Sequence, residues 1–339
     1  MQQRSKVPRA VAGLVLATLW HGPARAEMSA EELAKLAQNP DAARSAAKGR
    51  GRAVLARTAG LFKLRIGLVI GFTALAGLAA TPGPSLEGWR IAVLGLAVVL
   101  SAAAAGGFNQ WYESDLDARM RRTRGRPFVT GELVRDSRWL WLLGGITMAS
   151  VLTAAWATNW LAALHTFLGA FVYGMVYTVW LKRRTSWNIV VGGLAGSFAV
   201  LAGAAAIAPG APPAVPLVLA VVLFFWTPPH FWSLAIACHD DYRAARVPML
   251  PVVVGDARCA QVILAHTVAL VALAFLPLAF GMGWIYGVGA GVGGAVFVYA
   301  SLRLAAHPTR KTALANFFAS LVQLTLLLAA AIVDRAVAG

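Results

Sequence analysis

The sequence predicts an all-α fold, a polytopic bundle of about nine transmembrane helices, and three observations carry that expectation. Only 13% of the 339 residues are charged, about half the share of a soluble domain. The mean hydropathy is +0.67. Apolar runs of about 20 residues, the length that crosses a bilayer as a helix, recur along the chain. In lipid each backbone N–H and C=O must be satisfied within its own segment, so the runs are read as helices.

Taken in order, residues 1–26 resemble an export signal: Arg4, Lys6 and Arg9, then AVAGLVLATLW, then Ala24-Arg-Ala26. A start at Met28 and an acid-poor transit peptide are the alternatives, and a start at Met28 is preferred. An Ala-rich segment of mixed charge continues to about Arg57, giving an N-terminal extension over 1–57 and a membrane domain over 58–339. Spans are expected near 61–81, 88–111, 138–158, 159–180, 188–209, 214–236, 258–281, 284–303 and 313–333. Trp139, Trp141, Trp156, Trp160 and Trp284 fall at span ends, as interfacial belts do. His165, Tyr173 and Tyr177 share one face of the fourth span and are taken as a cavity wall.

The formal charge is +16, which raises the question of nucleic acid. Its distribution argues against it. With the N-terminus cytoplasmic, alternate connections are basic: Arg119 to Arg138, Lys182 to Arg184, Arg243 and Arg246, then Arg303, Arg310 and Lys311. TPGPSLEGW, ATNW, APGAPPA and GMGW on the other side hold almost no Lys or Arg. That is the positive-inside pattern, set by membrane insertion and anionic lipid. The two cysteines, Cys238 and Cys259, lack metal or disulfide spacing and are read as idle thiols.

The acids follow another logic. Eight of the fourteen fall in two connections: Glu113, Asp115, Asp117, Glu132 and Asp136 in one, Asp240, Asp241 and Asp256 in the other. If the second helix runs on through Asp117, then Asn109, Glu113 and Asp117 stand at i, i+4 and i+8 on one face, with Asp115 to the side. Like charges at that spacing repel unless a cation bridges them, and hard cations such as Mg²⁺ take such oxygens together with substrate phosphate. Arg119, Arg121, Arg122, Arg124 and Arg126 follow, and guanidinium forks suit phosphate. A solvated loop whose acids neutralise its arginines is the competing reading.

The second cluster tips the balance toward chemistry. FWTPPHFWSLAIACHDDYRAARVPMLP (225–251) carries Asp240-Asp241 on the same side of the membrane, placed for a second metal on the same diphosphate. Pro228-Pro229 is expected to kink the sixth helix and to line a cavity. His230 in that stretch is either a packing residue or a contact to substrate or haem iron.

These motifs resemble a known family. N-x-x-x-[DE]-x-x-x-D followed by R-T-x-x-R-P, here Asn109, Glu113, Asp117, Arg122-Thr123 and Arg126-Pro127, is similar to the first Asp-rich motif of UbiA-type intramembrane prenyltransferases. YTVWLKRRT (177–185), NIVVGG (188–193) and WTPPHFW with DDY and VPMLP narrow the resemblance to the haem farnesyltransferases of that superfamily, over roughly 60–330. The resemblance implies a central cavity opening to the cytoplasmic side. It implies transfer of a farnesyl group from farnesyl diphosphate to the vinyl group of haem b, giving haem O. It implies Mg²⁺ at two sites, one on Asn109, Glu113 and Asp117 and one on Asp240 and Asp241, with Asp117, Asp240 and Asp241 catalytic. Arg122, Arg126 and Lys182 would meet diphosphate and His230 the haem. It places the protein in a bacterial inner membrane, or a mitochondrial one in a eukaryote, with haem-modifying or oxidase-assembly proteins as downstream partners.

Two departures stand out. The fifth helix reads GGLAGSFAVLAGAAA where the family carries a proline pair and a tryptophan, and Ala237, Cys238 and His239 precede Asp240 where aromatic and basic residues are usual. They keep open a UbiA-type enzyme with a quinone-precursor or chlorophyllide acceptor. A transporter would hold its charges at mid-membrane, and a silent biogenesis factor would have lost a metal ligand. Neither pattern is present.

Overall fold

The computed structural model describes residues 60–338. The N-terminal extension and its signal-like segment lie outside the described residues. Nine long helices follow in chain order: α1 (Leu64–Ala79), α2 (Gly88–Tyr112), α3 (Arg138–Ala157), α4 (Trp160–Leu181), α5 (Asn188–Ile207), α6 (Ala214–Ala237), α7 (Asp256–Ala279), α8 (Trp284–Ala306) and α9 (Arg310–Ala338). Eight are long and apolar enough to cross a membrane; α1, with 16 residues, is the shorter apolar one. The chain is a multi-pass membrane protein.

Small residues decide how closely these helices approach, because between helices in lipid the gain comes from van der Waals contact. A Cβ on Gly203 of α5 would stand 1.8 Å from the carbonyl oxygen of Ala74 in α1, and one on Gly77 would stand 2.2 Å from that of Val200. The unusual small-residue run of α5 is thus the seam against α1. A second seam joins α8 to α9, where a Cβ on Gly289 would come within 2.3 Å of Ala330 Cβ. At the N-terminus of α8, Gly283 N–H (2.6 Å) and Tyr286 N–H (3.2 Å) donate to buried Asp334 of α9.

A buried polar chain ties the C-terminal helices together. Asn316 Nδ2 donates to Ser233 Oγ (2.9 Å), Ser301 Oγ lies 2.9 Å from Asn316 Oδ1 and 3.0 Å from Thr267 Oγ1, and all four residues are fully buried. One residue comes from each of α6, α7, α8 and α9, so each polar group finds a partner that lipid could not provide.

Pro228-Pro229 lie inside α6, which stays helical from Ala214 to Ala237. Thr227 Oγ1 donates to Leu223 O (3.0 Å) and Ser233 Oγ to Pro229 O (2.6 Å), and packed neighbours on both sides carry the helix through. Trp139 is not a belt residue. It is 7% exposed, meets Phe128 edge-on at 5.3 Å and donates from Nε1 to Val134 O. Trp141, Trp156, Trp160 and Trp284 are each more than 70% exposed, as a belt requires.

Candidate active site

The site begins at the end of α2. The helix closes at Tyr112, and Glu113 departs from helical geometry (φ −93°, ψ 13°) before a short helix, Ser114–Asp117. The i→i+4 backbone bonds nevertheless continue, Glu113 N to Asn109 O at 2.9 Å and Asp117 N to Glu113 O at 2.8 Å. The stripe expected of Asn109, Glu113 and Asp117 therefore exists, and its members are 2%, 1% and 3% exposed. Asp115 points away, at the surface.

Burying carboxylates demands partners, and each member of the stripe has a cation from a different segment. Lys182 Nζ pairs with Glu113 Oε2. Arg126 Nη1 reaches Asp117 Oδ2 at 2.6 Å. Lys63 Nζ donates to Asn109 Oδ1 at 2.6 Å and lies 3.1 Å from Tyr173 Oη. The R-T-x-x-R-P motif acquires a local reason here. Buried Thr123 donates to Asp117 O (3.1 Å), which turns the loop so that Arg126 comes back on the Asp117 carboxylate, and Pro127 then opens a short helix.

Lys182 arrives by an unusual route. From Val172 to Leu181 the fourth helix is a π-helix. Two α-turns take about seven residues, and a π-segment adds roughly one per turn. The nine positions from Tyr173 to Lys182 then complete about two turns and share a face; in an α-helix they would stand about 180° apart. Thr178, fully buried on the same segment, accepts from Asn109 Nδ2 (3.1 Å) and donates to Tyr173 O (2.8 Å). Tyr173 and Tyr177 stack at 5.6 Å, and Lys182 Nζ lies 5.6 Å from the Tyr177 ring centre. His165, expected with them, instead stacks on Phe198. The NIVVGG motif seats this face: Cβ atoms on Gly192 and Gly193 would stand 3.0 Å from the Tyr177 ring and 3.1 Å from Thr227.

The second cluster faces the first. Asp241, in the short helix His239–Ala244, accepts from the backbone N–H groups of Arg121 (3.2 Å) and Arg122 (3.3 Å). Arg122 bonds to Tyr242 and lies against Cys238; burial opposes its charge, but Tyr242, Cys238 and Asp117 outweigh that and raise its pKa. Asp240 is exposed. His239 Nδ1 pairs with Asp256 Oδ1 at 2.7 Å, so this departure from the usual basic residue has a local partner. On the outer rim Arg183 grips Asp115 with two bonds, 2.8 and 2.9 Å.

Deeper in the bundle, His230 is 6% exposed and stacked between Trp226 (4.2 Å) and Phe317 (4.3 Å). Ser320 Oγ donates to Phe317 O (2.6 Å), so it accepts from His230 Nδ1 (2.7 Å), which leaves Nε2 as the ring's unprotonated nitrogen.

The donors of the stripe are hard oxygens, the type that holds Mg²⁺, and Glu113 Oε1 is buried without a hydrogen-bond partner. That acceptor and the cations resting on the stripe fit a divalent ion. Among the described residues no three His, Cys, Asp or Glu converge as a complete metal set. Such an ion would therefore need Asn109, water and substrate oxygens as well. Lys63, Tyr173 and Thr178 were not singled out as diphosphate-site residues from the sequence. The one signal for Lys63 is a lysine inside the apolar run 61–81.

Paired acids and cations gathered at one end of an apolar helix bundle define an intramembrane prenyltransferase. The chain belongs to the UbiA prenyltransferase family, whose model matches residues 70–322. Among its relatives is protoheme IX farnesyltransferase 2 of Paramagnetospirillum magneticum, 56% identical over 83% of this chain and 97% of the relative. The fold is shared with digeranylgeranylglyceryl phosphate synthase (TM-score 0.67, 16% identity, 83% of this chain and 98% of that one). It is also shared with a UbiA homologue from Archaeoglobus fulgidus bound to DMAPP and Mg²⁺ (TM-score 0.62, 19% identity, 83% and 99%).

Proposed function

We propose that this protein transfers the farnesyl group of farnesyl diphosphate to a vinyl carbon of haem b, giving haem O. The observation that carries the reading is the buried stripe of Asn109, Glu113 and Asp117, each member held by a separate cation, together with the aromatic stack of Trp226, His230 and Phe317 further along the bundle. The 56% identity to a protoheme IX farnesyltransferase supports the substrate pair.

In this reading the C1–O bond of farnesyl diphosphate breaks and its electron pair leaves with the diphosphate. The vinyl π-bond attacks C1, and water adds to the resulting carbocation with loss of a proton, giving the hydroxyethylfarnesyl side chain. Lys182, Arg126 and Arg122 stabilise the growing charge on the leaving group from fixed positions. The apolar interior keeps water from the allylic cation until the new C–C bond forms, and the aromatic faces favour positive charge. Mg²⁺, when bound, neutralises diphosphate charge; Asn109, Glu113 and Asp117 would hold one ion, Asp240 and Asp241 the other. His230 Nε2 is offered to the haem side. The work is done at the cytoplasmic face of a bacterial inner membrane, with the haem passing to downstream haem-modifying or oxidase-assembly proteins. The altered fifth helix, which had favoured another acceptor, is accounted for by its seam with α1.

The test is expression in cells that lack haem O synthase, followed by chromatography of extracted haems. Haem O should appear. Haem b alone, with the protein correctly inserted, would overturn the reading.

A further inference from the structure

Lys63 has no part in that reaction scheme, yet three independent features single it out. Its backbone is left-handed (φ 47°, ψ 42°), a conformation that a residue with a Cβ adopts only when its surroundings impose it. Its ammonium crosses the bundle to Asn109 Oδ1 and Tyr173 Oη, and its stem lies along Gly106, 3.4 Å from where a Cβ there would stand. It also stands in a crowd of basic groups: Arg126 and Lys182 lie close by, around the carboxylates of Glu113 and Asp117.

Basic groups buried side by side repel one another, and an anion that joins them offsets that repulsion. The geometry also supplies a way in. Lys63 and Arg126 together line a cavity of about 320 Å³ whose wall includes Gln110 and the exposed residues Gly125 and Glu132. A polyanion entering from the cytoplasmic side meets both cations there. Gln110 is 3% exposed, with Nε2 given to Gly60 O and Leu61 O, and its Oε1 is buried without a partner.

We propose that Lys63 is a diphosphate-binding residue, whose bonds to Asn109 and Tyr173 are the resting position from which its ammonium meets the leaving group. The proposal rests on the prenyltransferase reading and deepens it by naming a cation on the first helix as part of the leaving-group site. The alternative is a scaffold lysine that only fixes Asn109 and Tyr173.

The left-handed backbone separates the two. Lys63→Gly removes the ammonium and relieves the backbone, so a ligand-binding lysine predicts weaker ligand and an unchanged or higher melting temperature. A scaffold lysine predicts that both fall. The experiment is calorimetric titration of inorganic pyrophosphate into the full chain in lipid nanodiscs, with EDTA and separately with Mg²⁺, alongside thermal unfolding. Lys63→Gly and Lys63→Met should weaken pyrophosphate at least about 10-fold, the worth of one charge-assisted hydrogen bond, and Lys63→Arg should restore it to within about 3-fold. Wild-type affinity in both charge-removing variants, with Lys182→Met still weakened, would overturn the proposal and leave the site reading standing. Weak binding accompanied by a lower melting temperature in Lys63→Gly, unrescued by Lys63→Arg, would also overturn it. If wild type binds pyrophosphate under neither condition, or if Lys182→Met binds as tightly as wild type, the site reading itself falls.

Discussion

The two acid clusters look alike in sequence and are built differently. In the first, Glu113 and Asp117 are sealed in the bundle and paired with Lys182 and Arg126. In the second, Asp240 is exposed and Asp241 is half-buried, held only by two backbone N–H groups of the arginine segment. The first cluster is therefore part of what holds that end of the bundle together. The second costs the fold little to carry, and its acids are free for the ligand. Substitutions should accordingly affect stability and activity together in the first cluster, and activity alone in the second.

The largest effect is expected for Glu113→Gln and Asp117→Asn. Each leaves a buried cation unpaired, which costs on the order of 3–5 kcal/mol of stability, and haem O in extracts should fall below detection. Unfolding in detergent and haem chromatography read the two losses. A variant that kept full activity would break the comparison. Asp241→Asn should likewise abolish product while stability changes by no more than about 0.5 kcal/mol, the scale of a surface substitution. A melting temperature that fell as far as that of Glu113→Gln would show the second cluster to be structural too.

Next comes the π-segment. Deleting Met175 should return α4 to α-register and rotate Lys182 away from Glu113, and a displacement of about 1 Å at such a site costs on the order of 100-fold in turnover. Wild-type turnover in the deletion would remove the argument that the π-turns position Lys182. The smallest effect belongs to Asp115→Asn. Its pair with Arg183 is exposed, so stability should change by less than about 1 kcal/mol and turnover by less than about 2-fold. Burial would raise the Asp115 pKa, but the hydrogen bond and charge of Arg183 lower it below 3.8. The pair's small contribution is thus present above the unfolded carboxylate pKa and fades as pH falls through the lowered native value. Acid unfolding of Asp115→Asn against wild type measures it.

Much of this was legible in the linear chain because it depends on short-range spacing or composition. The nine long helices follow from apolar run length. The stripe of Asn109, Glu113 and Asp117 follows from a four-residue interval that survives the bend at Glu113, since backbone bonds between these positions persist. The place of Asp115 outside the stripe was visible for the same reason.

Other features have no local signal. Lys63 lies 46 residues from Asn109 and 110 from Tyr173, and nothing near it in sequence says that its backbone is left-handed. The pairing of Lys182 with Glu113 depends on π-turns that a 3.6-residue period misplaces. Trp139 looks like its exposed neighbours until Phe128 covers it. Sequence by itself determined that this chain crosses the membrane repeatedly and gathers its oxygen donors at one face, because hydropathy and helical period act on neighbouring residues. Only the tertiary structure decided which cation meets which acid, because burying a charge forces partners to be found across the bundle rather than along the chain.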